Sequence, residues 1–173
     1  MPAYLVGINP PVDVERKVLE LKKKVIGACG HAQQVDEPPH MTFVVNDFSD
    51  FDSIDNALRN IAGRHKPFEV ILRSLEHFPP EKSGSYILHL PAKPSPEMSN
   101  LQHDVIDATS KFRRGSMLAG WLKKHAANYN FDEEEKANIE RYGYPYVDVN
   151  FFPHVTVAIL SKDEYSKVSH MFE

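Results

Sequence analysis

The chain has 173 residues, 42% of them hydrophobic, which is enough for one compact core. A formal net charge of −4 excludes a protein that coats nucleic acid through bulk positive charge, although a local basic groove stays open. Cys29 is the single cysteine, so no intrachain disulfide forms and a reducing cytoplasmic compartment is expected; no apolar run reaches ~18 residues, so neither a membrane span nor a leader is expected.

Residues 3–8, AYLVGI, read as a strand that stops at Asn9-Pro10-Pro11, because proline donates nothing to a ladder. In residues 12–28, Val14, Val18, Leu21 and Val25 recur at helical spacing, and Lys22, Lys23 and Lys24 read as a solvated face. PPHMTFVV (38–45) reads as a buried strand entered through His40. SDFDSIDNALRNIAGRH (49–65) predicts a helix with acidic N-cap candidates, apolar Ile54, Leu58 and Ile61, and Gly63 as terminator. FEVILRSLEHF (68–78) and GSYILHLPA (84–92) predict strands joined by a turn. Ser95, Pro96 and Glu97 open a third helix, with Leu101, Val105, Ile106 and Ala108 on one face. Residues 111 to about 145 read as a partly helical insertion. YVDVNFFPHVTVAIL (146–160) predicts the last strand, with a short polar tail after it. Apolar strands interleaved with amphipathic helices predict an α+β or α/β architecture, and no Gly- or Ser-rich seam divides residues 1–173, so one domain is expected.

Two stretches share one pattern. PHMTF (39–43) and PHVTV (153–157) are each Pro, His, apolar, Thr, apolar. Side chains alternate faces along a strand, so His40 and Thr42 share a face, as do His154 and Thr156, while Met41, Phe43, Val155 and Val157 turn to the other. If the two strands lie side by side, two imidazoles and two hydroxyls converge. That set suits phosphoester chemistry. An imidazole titrates near ~6.5, so one ring can accept a proton while the other donates one, and a threonine hydroxyl can hold a non-bridging phosphate oxygen. A zinc site is the chemical competitor, but two histidines, two threonines and a lone cysteine make a poor ligand set. No metal or cofactor is expected.

The paired PHMTF and PHVTV resemble the twin motifs of the 2H phosphoesterase superfamily, nearest to its LigT-like branch of 2'-5' RNA ligases and RNA 2',3'-cyclic phosphodiesterases. YLVGINPP, PFEVILRSLEHFP and PSPEMSNLQHDV resemble that branch's first strand, central strand and later helix, so the likeness covers most of the chain except about 111–145. It implies an α+β, bilobal fold with two pseudo-symmetric sheet-and-helix halves around a central cleft, each half giving one motif. It also implies His40, Thr42, His154 and Thr156 as the catalytic set of a phosphodiesterase. Of the two rings we assign His154 as base and His40 as acid, roles that depend on how the substrate is oriented. The family's arginine after the second motif is missing, since Ala158 and Ile159 follow there. An RNA end, a 2'-5' linked oligonucleotide and a small cyclic nucleotide therefore all stay open as substrates, for a protein expected to be a monomer. A non-catalytic nucleotide- or RNA-binding module on the same fold is the alternative.

His89 in YILHL is a further candidate substrate contact from a strand. Arg113 and Arg114, with Lys111, form the densest basic patch and are candidates for meeting a phosphate backbone, or else a solvated helix end. Tyr142, Tyr144 and Tyr146 read as loop packing rather than a base-stacking surface. Trp121 reads as an anchor, and His31, His65, His77, His103, His125 and His170 as surface or packing residues.

Overall fold

The computed structural model describes residues 4–80, 83–114 and 131–172, and its elements alternate much as the hydrophobic pattern predicts. In chain order they are β1 (Tyr4–Ile8), α1 (Val12–Cys29), β2 (Met41–Asn46), α2 (Phe51–Arg64), β3 (Glu76–Phe78) and β4 (Tyr86–Pro91). Then follow α3 (Pro96–Ser110), α4 (Glu133–Tyr142), β5 (His154–Leu160) and α5 (Lys162–Val168). The strands form one antiparallel sheet in the order β1-β2-β5-β4-β3, which makes the fold α+β.

Local chemistry explains the helix starts. Asp50 accepts from the Ser53 N–H at the head of α2, and Ser95 accepts from the Met98 N–H at the head of α3, with Pro96 beside it. Reciprocal capping boxes start α4 (Asp132 with Glu135) and α5 (Ser161 with Glu164). Val18 and Val25 of α1, Ile54 and Ile61 of α2, and Met98, Val105 and Ile106 of α3 bury with Phe43, Val157 and Leu160 of the sheet. Burying a Val, Ile or Phe side chain contributes about 1.5–3 kcal/mol each, so these faces hold the helices on the strands.

The sheet is built from two halves. β1 pairs with β2, β5 pairs with β4 and β4 with β3, while β2 and β5 meet at a single ladder pair, Met41 with Val155. One motif therefore rides on the inner strand of each half. β1 can approach β2 closely only because residue 7 is glycine: a Cβ there would overlap the Met41 carbonyl oxygen. Gly7 pairs with Thr42, so this contact lies directly under the first motif.

Five expectations need correction. Residues 68–75 form no ladder, and β3 is only Glu76–Phe78. Their partner segment contains Pro91 and Pro94, which have no N–H to donate, so only the Leu72–Ala92 bridge and two flanking bonds form. Residues 146–153 are not strand, because Asp148–Asn150 coil into a 3-10 turn whose Asp148 has φ 54°. The tail is helical through Val168, owing to the Ser161 box. Gly63 lies inside α2, and His65 in extended conformation ends the helix. Lys22 is 2% exposed, not solvated, and its ammonium donates to the carbonyls of Gln34 (2.7 Å) and Glu37 (2.6 Å). Within 111–145, residues 115–130, including Trp121 and His125, lie outside the described residues, and 133–142 are helical. Tyr142 and Tyr144 are buried, and the Tyr146 carbonyl accepts from Gln102, so this segment packs inward.

Candidate active site

The Met41–Val155 pair sets the site's register. Antiparallel pairing, continued one residue each way, sets His40 opposite Thr156 and Thr42 opposite His154, all four half-buried. Each histidine thus faces the other motif's threonine, and the two rings lie diagonally across the strand pair. β4 extends both rows on the same face: His89 pairs with Thr156, and Pro91 with His154. Beyond His89, β3 adds Glu76. On the far face, Met41 and Val155 line a small apolar cavity of about 100 Å³ with Ile8, Val14 and Leu72.

One hydrogen bond recurs at each ring. The Nδ1 of His40 donates to the Pro38 carbonyl (2.8 Å), that of His154 to the Phe152 carbonyl (2.7 Å) and that of His89 to the Ile87 carbonyl (3.0 Å). A carbonyl only accepts, so Nδ1 carries the hydrogen and the neutral ring keeps its Nε2 lone pair for chemistry. In both motifs the residue two before the histidine precedes a proline (Pro39, Pro153), which holds it extended and presents its carbonyl to the ring.

The second motif stands in an aromatic enclosure. Phe78 stacks on His89 with centroids 4.0 Å apart and planes 16° apart, and both contact the His154 ring at 5.3 Å. Phe152 closes the group at 5.3 Å from Phe78, 5.7 Å from His89 and 6.1 Å from His154. Burial pushes His154 down to about 4, and the neighbouring His89 and His40 oppose its charging further, against the bond to the Phe152 carbonyl. Burial also lowers His89, partly offset by its bond to the Ile87 carbonyl and by Glu76. His154 is therefore held neutral near pH 7, as a proton acceptor must be.

Of the sequence candidates, His40, Thr42, His154, Thr156 and His89 come together on one face. His89 is 1% exposed, walled in rather than open to solvent. Arg113 and Arg114 are not part of this group. Arg113 bridges to Phe48 beyond the far end of β2, about 20 Å from His40 along the strand. Its guanidinium donates to the Glu140 carbonyl (3.2 Å), and the Arg114 N–H donates to the Asp47 carbonyl (2.7 Å). His65 pairs with Asp104 (2.8 Å) and His103 with Asp148 (3.0 Å). Among the described residues no three His, Cys, Asp or Glu side chains gather as a metal ligand set.

Sequence reasoning missed Phe78, Phe152 and Lys22. Phe152 had a signal, since it supplies the carbonyl two residues before His154. Phe78 had none, because its nearness depends on the register of β3 on β4.

The family model described as the 2'-5' RNA ligase superfamily matches residues 10–169, spanning both motifs and nearly all the chain. No curated protein matches the chain.

Proposed function

The chain belongs to the 2'-5' RNA ligase superfamily, and on that premise we propose that it is a metal-independent phosphodiesterase using His154 as base and His40 as acid. Its substrate is a 2',3'-cyclic phosphate, at an RNA end or on a nucleotide, or a 2'-5' phosphodiester. The observation that carries this reading is the crossed register, in which each histidine sits opposite a threonine of the other motif.

The chemistry follows from the donor set. The Nε2 lone pair of neutral His154 takes a proton from water as the water oxygen bonds to phosphorus. The phosphorus–ribose oxygen bond breaks, and the leaving oxygen takes the Nε2 proton of protonated His40. Thr42 and Thr156 donate their hydroxyls to non-bridging oxygens as negative charge grows there. The Nδ1 bonds to the Pro38 and Phe152 carbonyls fix both ring planes through the transfer. Proton exchange with solvent then resets the pair. Both rings and both hydroxyls are present, whereas a phosphate-binding module needs no acid and base.

The test is a substrate panel in the presence of EDTA: cyclic nucleotides, an oligoribonucleotide ending in 2',3'-cyclic phosphate, and 2'-5' oligoadenylate. Phosphomonoester or nucleotide release that persists in EDTA is expected. Binding without turnover on every member would assign the fold to a nucleotide-binding module. Turnover lost in EDTA and restored by a divalent ion would replace the two-histidine mechanism with metal-assisted hydrolysis.

A further inference from the structure

His89 presents a problem that packing alone does not solve. It is 1% exposed, stacked flat on Phe78, and its Nε2 has no hydrogen-bond partner and no contact with solvent. A buried polar atom left unpaired loses its hydration without compensation, so an aromatic ring without nitrogen would fill the same space at lower cost. The sequence nevertheless places histidine there.

Its location points to a reason. His89 pairs with Thr156 across β4 and β5, and His40 stands on the other side of Thr156 in the register of β2 and β5. His154 is thus diagonal to both, and His89 presents its ring to it at 5.3 Å and 69°. The Nδ1 bond to Ile87 locks the His89 ring against rotation, which a phenylalanine at that position has no means to do.

We propose that His89 is a positioning residue for the second motif, a locked polar wall that fixes the His154 ring and commits it to the proton-accepting role. This assignment of direction rests on the phosphodiesterase reading above. The titratable groups facing His154 are His40 from the entrance of β2 and His89 from β4, and His89 itself faces Glu76 and His77 from β3. A charge on His89 opposes a charge on His154, and the His89 ring excludes water from its flank. Both effects keep the Nε2 lone pair of His154 free, so loss of His89 should let His154 hold a proton to higher pH.

Two substitutions separate the effects. His89→Asn retains an N–H donor for the Ile87 carbonyl but removes the ring. His89→Phe retains the ring and removes both charge and lock. Ring-nitrogen NMR titration of the unliganded protein reads His154 directly and needs no turnover, so it stands even if no substrate is found. In the wild type the His154 midpoint should lie well below the ordinary histidine value. In His89→Phe it should rise, and in His89→Asn it should rise furthest, on the order of one unit or more. With an active substrate, the acid limb of kcat/KM should move to higher pH in the same order, because the base must be unprotonated to act. A wild-type midpoint at the ordinary value, or a folded variant of either kind titrating with the wild type, would overturn the proposal. Should His89→Asn fail to fold, His89→Phe decides alone.

Discussion

The two His-x-Thr motifs are alike in sequence and unlike in surroundings. His154 stands among Phe78, His89 and Phe152, and burial there drives it toward the neutral form. Among the described residues no aromatic ring packs on His40, and the loop before it is held by a charge instead. Lys22, buried on α1, donates to the carbonyls of Gln34 and Glu37, just ahead of the Pro38 carbonyl that orients His40. Burial lowers the pKa of Lys22, while Glu37 and Asp36 act to raise it. One motif is thus set by an apolar enclosure and the other by a polar latch. The difference teaches that a repeated motif need not mean repeated chemistry: in the proposed mechanism, it is the environment that divides acid from base between identical side chains.

The largest expected effect comes from removing either ring. Positioned proton transfer contributes ~10²–10⁴-fold, so His40→Ala and His154→Ala should each lower kcat by at least that much on a cyclic-phosphate substrate. The two losses should carry different pH signatures, His154→Ala abolishing the acid limb that the wild type is expected to show. Identical pH profiles for the two variants would erase the division of roles.

The threonines come next. Thr42 lies opposite His154 and Thr156 lies between His40 and His89, but in the proposed mechanism both donate a hydroxyl to phosphate. Thr42→Ala and Thr156→Ala should each lower kcat by no more than one oxyanion contact, on the order of 10²–10³-fold. Single-turnover rates settle this, and a threonine loss exceeding the histidine losses would argue against the histidines as the proton-transfer pair.

The smallest effect should come from the latch. Lys22→Met leaves the part-buried Gln34 and Glu37 carbonyls without that donor, which should lower stability in denaturant unfolding by about 1–3 kcal/mol at most. Because His40 is oriented from the same loop, kcat should also fall, by roughly tenfold or less. A variant less stable but fully active would confine Lys22 to folding and leave His40 oriented by Pro38 alone.

How much of this was legible in the sequence differs by feature. The shared face of His40 with Thr42 and of His154 with Thr156 was readable because strand alternation is strict, whereas the carbonyls that orient the rings emerge only from the structure. The Asp50 and Ser95 caps gave α2 and α3. Ser161-Lys-Asp-Glu164 is an equally plain capping box, and reading it would have turned the expected tail into α5. The 68–75 segment misled because its apolar alternation was sound while its partner's prolines were not considered. Lys22 misled because three consecutive lysines look alike until a loop 12 residues away closes over one of them. The aromatic enclosure was out of reach, since Phe78, His89 and His154 come together only through the register of β3, β4 and β5.

The most direct test of the paired-histidine account is a double-mutant cycle. Turnover of an oligoribonucleotide ending in 2',3'-cyclic phosphate would be measured for His40→Ala, His154→Ala and the double variant, with folding checked by circular dichroism. Acid and base act in one displacement, so the double variant should be scarcely slower than either single variant. A folded His40→Ala protein with near-wild-type turnover, or losses that simply multiply in the double variant, would contradict it.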